Sequence, residues 1–202
     1  MNSKPKISIV IPIYNMPRAK FFLDRCIDSI HNQTFDNYEI VITKEGKMAE
    51  NTNAGIKKSK GELIKILFMD DYLTHKNALQ VIVDSFHGQW LVTGCKHDPG
   101  DSPHWPRWDD KMVEGVNTIG SPSVMTIKNE EPLLFDENLG WLLDCDYYQR
   151  MYDKYGEPVF LNDINVTIGI GEHQATNLMG DKVKTKEQQY LYEKYSSVET
   201  NN

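Results

Sequence analysis

Apolar positions along the first hundred residues switch repeatedly between two spacings. "KISIVIPI" (6–13) is a near-continuous β-branched run, the pattern of a strand buried on both faces. In "RAKFFLDRCIDSIHNQ" (18–33), Leu23, Cys26, Ile27 and Ile30 fall at i, i+3, i+4 and i+7, which makes one stripe of an amphipathic helix. "YEIVIT" (38–43) predicts a second strand, a polar segment over about 48–59 ending near Gly61 a second helix, and "ELIKILF" (62–68) a third strand. Leu79, Ile82, Val83 and Phe86 repeat the helical stripe, and "WLVTG" (90–94) predicts the next strand. Strands alternating with helices in this way imply a layered α/β sheet with parallel neighbours.

Beyond residue 94 the periodicity dissolves. Residues 95–116, "CKHDPGDSPHWPRWDDKMVEGV", contain three prolines and two tryptophans and predict a long irregular loop. Such loops inside compact domains usually carry function; Trp105 and Trp108 either meet a ligand or pin the loop to the core. "GSPSVMTI" (120–127) reads as a turn into a strand, and "DCDYYQRMYDKYG" (144–156) as a helix closed by Gly156. "PVFLND" (158–163) and "NVTIGIG" (165–171) are predicted as two further strands, and "KTKEQQYLYEKY" (184–195) as a terminal helix.

Composition narrows the function. A chain of 202 residues, 40% hydrophobic and 25% charged, suits one globular domain. Its net charge of −7 argues against a nucleic-acid partner, because phosphate binding needs clustered Lys and Arg. No run approaches the roughly 20 apolar residues of a membrane span, and "MNSKPKISIV" lacks a signal-peptide core, so the expectation is a cytoplasmic protein without a transmembrane segment. Cys26, Cys95 and Cys145 are expected as reduced core thiols. Cys95, His97 and His104 lack a paired Cys-x-x-Cys and a fourth ligand, which speaks against zinc. There is no Gly-x-Ser-x-Gly elbow and no P-loop, and "GIG" (169–171) lacks the third glycine of a dinucleotide fingerprint.

The stretch "KILFMDDYLTHKNAL" (65–79) ends an apolar run in two adjacent acids, Asp70 and Asp71. In an open α/β sheet the ligand crevice lies beyond the carboxyl ends of the strands. Neighbouring carboxylates there repel unless a cation or hydrogen-bond donors stabilise them, and an all-oxygen site suits Mg²⁺ or Mn²⁺. The alternative is a helix cap at Asp71 or Thr74.

"ISIVIPIYN" (7–15), "CIDSIHNQTFDNYEIVI" (26–42), "NTNAGIKKSKGE" (51–62), "ILFMDDYL" (66–73), "IGSPSVM" (119–125), "FDENL" (135–139) and "DCDYYQR" (144–150) occur in the order and spacing of family-2 glycosyltransferases. The chain resembles that family over roughly residues 6–175. The resemblance implies a GT-A-like α/β domain spanning 1–202, with a mixed, mostly parallel central sheet flanked by helices. A nucleotide-sugar-binding half would occupy about 6–94, an acceptor-binding half about 95–175, and a C-terminal helix and tail about 184–202.

It also implies roles. Pro12, Tyr14 and Asn15 would line the nucleotide pocket, with Asn53 and Asp70 also on the donor side. Thr43 stands where the family usually has an acid, so Glu45 is the substitute candidate, with Lys44 or Lys47 near the diphosphate. Asp70, Asp71 and His173 would hold Mn²⁺ or Mg²⁺. Ser121, Ser123 and Trp105 would meet the acceptor, which is a glycan, a lipid-linked or another hydroxyl compound. Asp144, six residues before Arg150, is the candidate general base of an inverting transfer from a nucleotide-diphospho-sugar, and Asp146 is the alternative. Phe68 and Leu143 replace further acids usual in the family. Those losses keep open a non-catalytic glycan- or nucleotide-sugar-binding module. A nucleotidyltransferase would need a Gly-rich phosphate loop that "IPIYNMPRA" (11–19) does not provide.

Overall fold

The computed structural model describes residues 4–199. Strand β1 (Ile7–Pro12) is buried at all six positions and lies between β2 (Tyr38–Thr43) and β3 (Leu63–Ile66), parallel to both. Helices α1 (Ala19–His31) and α2 (Met48–Lys58) make the crossovers. Helix α1 buries Cys26 and Ile30, as its stripe predicts. Helix α2 is polar yet buried, because Gly55 lets it approach β1 so closely that a Cβ there would come 2.3 Å from Val10 Cγ1. The chain then forms the short strand β4 (Tyr72–Leu73), helix α3 (Ala78–Ser85), β5 (Trp90–Asp98), β6 (Pro103–His104), β7 (Met125–Lys128), helix α4 (Leu143–Tyr155), β8 (Val159–Gly169), α5 (Ala175–Leu178) and α6 (Asp181–Glu199).

The strands order as β2-β1-β3-β7-β5-β8-β4, with β6 paired to β5. Antiparallel pairing of β7 with both β3 and β5, and parallel pairing of β8 with β5, leaves β1, β2, β3, β5 and β8 running in one direction. The sheet is therefore mixed and mostly parallel, with a contiguous apolar core reaching from Ile9 and Ile64 to Tyr147 and Tyr148.

Three expectations need correction. The irregular loop at 95–116 is partly ordered: β5 continues to Asp98, Pro103–His104 pairs back on it, and Met112–Glu114 forms a 3-10 turn. Backbone pairing along β8 overrides the weak local signal of "CKHD". The segments 158–163 and 165–171 form one strand, interrupted only by a register shift opposite Gly94. The terminal helix is longer than predicted, starting at Asp181, while β4 and α5 carry too few residues for any period to reveal them.

Candidate active site

The carboxyl ends of β1 and β3, the turn at Pro122 and the start of α4 enclose an open cleft of about 150 Å³ lined by Tyr14, Met48, Phe68, Asp70, Asp71, Ser121, Trp141 and Asp144, among others. Asp70 and Asp71 follow β3, where the chain turns through a hydrogen bond from the Asp71 N–H to the Phe68 carbonyl (2.9 Å). The two carboxylates have different surroundings. Asp71, 2% exposed, accepts the Gly169 N–H (2.9 Å) and the hydroxyls of Ser121 (3.4 Å) and Ser123. It is a brace between β3, β8 and the 121–123 turn. Asp70 faces the cleft; its Oδ2 lies 3.0 Å from His173 Nε2, and the Tyr14 hydroxyl donates to it. Arg25 donates to the Asp70 carbonyl (2.7 Å) and pairs with Asp98 (2.6 Å), fixing the backbone behind it. Burial raises both carboxyls above the ordinary range, Asp71 further because Asp70 lies beside it.

Among the described residues no three His, Cys, Asp or Glu side chains converge as a metal cage. The donor set nevertheless fits a hard divalent ion, which takes only one or two protein carboxylates and completes its shell with phosphate oxygens and water. Asp70 supplies the cleft-facing carboxylate, with His173 beside it, while the hydrogen bonds on Asp71 leave it a supporting part.

Asp144 sits in the first turn of α4, half-buried at the other wall of the cleft. Its Oδ2 accepts from Asn117 Nδ2 (2.7 Å) and its Oδ1 from the Cys145 N–H (2.8 Å). The helix terminus and these donors favour the ionised form, yet burial outweighs them and pushes the carboxyl up to about 6. That is close to the optimum for a general base at neutral pH. Asp146, the alternative, is fully buried and held by Arg150 (2.7 Å), Lys194 (2.7 Å) and Tyr195 (2.9 Å), which places it in the scaffold. Arg150 thus bonds Asp146 through both Nε and Nη2.

The remaining sequence-derived candidates are scattered. Ser121 lines the cleft, but Ser123 is fully buried, its Oγ accepting the Phe68 N–H and its carbonyl the Lys65 ammonium. Pro12 is buried in the sheet opposite Thr43. Asn15 lines a neighbouring hollow with His173 and Phe22. Asn53 clamps the Phe135 backbone with two hydrogen bonds, 2.9 and 2.7 Å long. Glu45 pairs with Lys58 (2.5 Å) over a separate depression, and Thr43 is tied to the Asn51 carbonyl (2.9 Å). Trp105 lies over Gly94 outside the cleft with nearly half of its surface exposed, while Trp108 stacks on Tyr152 at 3.9 Å. All three cysteines are buried and free, and His104 Nε2 is bonded to the Thr118 carbonyl.

Sequence reasoning missed Asn117, Trp141 and Lys65. Lys65 was visible as the one charge inside "LIKILF": it is fully buried, and burial lowers its ammonium to about 7. Asn117 carries no such signal, since only the fold brings it to Asp144.

Residues 8–52 match the family model described as Glycosyl transferase family 2. Over 151 residues, 74% of this chain and 20% of the other, the sequence is 24% identical to "Glycosyltransferase GlyA" of Streptococcus pneumoniae serotype 4. The chain spans only a fifth to two-fifths of the length of the curated relatives it matches. In fold it is similar to S. aureus TarS 1–349 in complex with UDP-GlcNAc (TM-score 0.64, 15% identity, covering 87% of this chain and 61% of that one). It is similar also to the mannosyltransferase PcManGT from Pyrobaculum calidifontis in complex with GDP-Man and Mn²⁺ (TM-score 0.59, 15% identity, 85% and 59%). No helix among the described residues is long and apolar enough to cross a membrane. In its seven ordered motifs, in this signature over residues 8–52 and in its architecture the chain is similar to family-2 glycosyltransferases, and its fold is that of the GT-A glycosyltransferases.

Proposed function

We propose that this domain transfers a sugar from a nucleoside-diphospho-sugar to an acceptor hydroxyl with inversion, Asp144 acting as general base. The observation that carries the reading is the pairing of two unlike carboxylates across one cleft: Asp70 beside His173 on the strand-end wall, and Asp144, held near neutrality, on the other. A base must be ionised yet basic, and a carboxyl at about 6 meets both needs at pH 7.

In this mechanism the donor's diphosphate lies against Asp70 and His173, with Tyr14 and the apolar Met48 and Phe68 lining the adjoining wall for the nucleoside. Asp144 takes the acceptor hydroxyl proton as that oxygen bonds to the anomeric carbon. The bond from that carbon to the diphosphate breaks on the opposite face, and the nucleoside diphosphate leaves. Asp70 and His173 would hold a divalent ion, Mn²⁺ or Mg²⁺, which when bound would supply positive charge against the leaving diphosphate. UDP-GlcNAc and GDP-Man in the related folds support the donor class. The acceptor would be a glycan, a lipid-linked or another hydroxyl compound, reaching the cleft past Ser121 and Trp141.

The test is transfer from UDP- and GDP-sugars to a panel of hydroxyl acceptors. Asp144→Asn should keep nucleotide affinity and lose about 10²- to 10⁴-fold in kcat, the usual contribution of a general base. Equal turnover in the variant would refute the role. A wild type that binds nucleotide and never turns over would favour a binding module, the reading suggested by Phe68 and Leu143 at positions that the family fills with acids.

A further inference from the structure

Helix α6 reaches back to the turn that precedes the proposed base. One carboxylate on it, Glu187, accepts three consecutive backbone N–H groups: Gly140 at 3.0 Å, Trp141 at 2.8 Å and Leu142 at 2.9 Å. Glu187 is only 8% exposed, and α4 has no capping side chain at Leu142. A carboxylate at this end of a helix opposes the positive end of the macrodipole and makes charge-assisted hydrogen bonds. Glu187 thus satisfies the three N–H groups of the turn that leads into α4, just outside the helix itself.

The same stretch touches this turn twice more. Met179, just before α6, lies against Gly140, its Cε 2.6 Å from where a Cβ would stand, and the Lys184 ammonium on α6 stands 5.4 Å over the Trp141 ring. The turn carries Trp141 into the cleft wall and leads two residues later to Asp144. We propose that Glu187 is a positioning residue for the transfer: through this one carboxylate, α6 sets the turn from which Trp141 and Asp144 enter the cleft. The inference rests on the transfer reading given above.

Glu187→Gln keeps the shape but removes the charge and one acceptor oxygen. Hydrogen exchange of the 140–142 amides should speed up about tenfold while amides of β1 and β3 stay unchanged. Nucleoside diphosphate affinity should stay within about twofold, and kcat, measured well below the unfolding temperature, should fall about ten- to a hundredfold, as misplaced catalytic groups do. Gln189→Ala is the control: the Gln189 side chain donates to Glu193 on the same helix, away from the turn, and its loss should leave all three readouts as they are. Unchanged exchange at 140–142 overturns the proposal. So does loosened exchange with unchanged kcat, or a lowered unfolding temperature as the sole effect. A wild type that binds no nucleoside diphosphate and transfers no sugar refutes the transfer reading, a failure distinct from an active enzyme indifferent to Glu187→Gln.

Discussion

Replacing Asp144 by Asn should stabilise the protein at neutral pH while removing its activity. The folded state raises this carboxyl from 3.8 to about 6. At 1.36 kcal/mol per pH unit, ionised Asp144 costs the folded state about 3 kcal/mol at pH 7.5, an upper figure because one face opens to the cleft. The sign follows from proton binding. The folded protein holds this proton where the unfolded chain has released it, so the group's stabilising contribution is complete below pH 3.8 and lost as pH rises through about 6.

Asparagine removes that cost but forfeits the bond from Asn117. Asn117 cannot flip to restore it, since its Oδ1 already accepts the Ile119 and Gly120 N–H groups (3.0 and 2.8 Å). The lost bond is worth about 1 kcal/mol. The variant should therefore be about 0.5 kcal/mol less stable than wild type at pH 4 and about 2 kcal/mol more stable at pH 7.5. The latter is a rise in midpoint of about 4–8 °C for a chain of this size. Urea unfolding of both proteins from pH 4 to 8 reads the difference directly, and other titrating groups cancel between them. A difference that stays flat over this range would refute the claim that burial sets this carboxyl.

Asp146→Ala should lower unfolding free energy by about 2–3 kcal/mol, because it removes the buried acceptor of Arg150 and Tyr195 and one of the two carboxylates on Lys194, which keeps Asp136; urea denaturation checks this, and a loss under about 1 kcal/mol would contradict it. Gly169→Ala should weaken nucleotide binding more than it weakens folding, since a Cβ there would come 2.4 Å from the Asp70 carbonyl and must displace the Asp70 backbone. Calorimetric titration of the variant with UDP or GDP, beside its thermal midpoint, separates the two effects.

The first half of the fold was legible because each strand and helix there carries its own period. "YEIVIT" needed no tertiary information to be read as Tyr38–Thr43. β4 within that half and β6 beyond it were the exceptions, because each is two residues long and exists only through pairing, β4 with β8 and β6 with β5. Within the site, Asp70 and Asp71 were visible as charges at the end of a periodic element and Asp144 through the family resemblance of "DCDYYQR", and the cleft brings these three together. Glu45 and Trp105 were placed by position alone. A salt bridge to Lys58 and packing on Gly94 draw them elsewhere. Glu187 looked like one more surface acid on a polar helix; only the return of α6 to the turn at 140–142 gives it a partner.

The central claim is that the cleft at Asp70 takes a nucleoside diphosphate with a divalent ion. Its most direct test is thermal unfolding of the wild type and Asp70→Ala with UDP, GDP, CDP and dTDP, each with and without Mn²⁺. A ligand at 100 times its dissociation constant stabilises the folded state by about 2.7 kcal/mol. The account predicts that at least one nucleotide raises the wild-type midpoint with Mn²⁺, does so much less without it, and leaves Asp70→Ala unmoved. A folded wild type whose midpoint none of the eight conditions shifts, or an equal shift in Asp70→Ala, would contradict it.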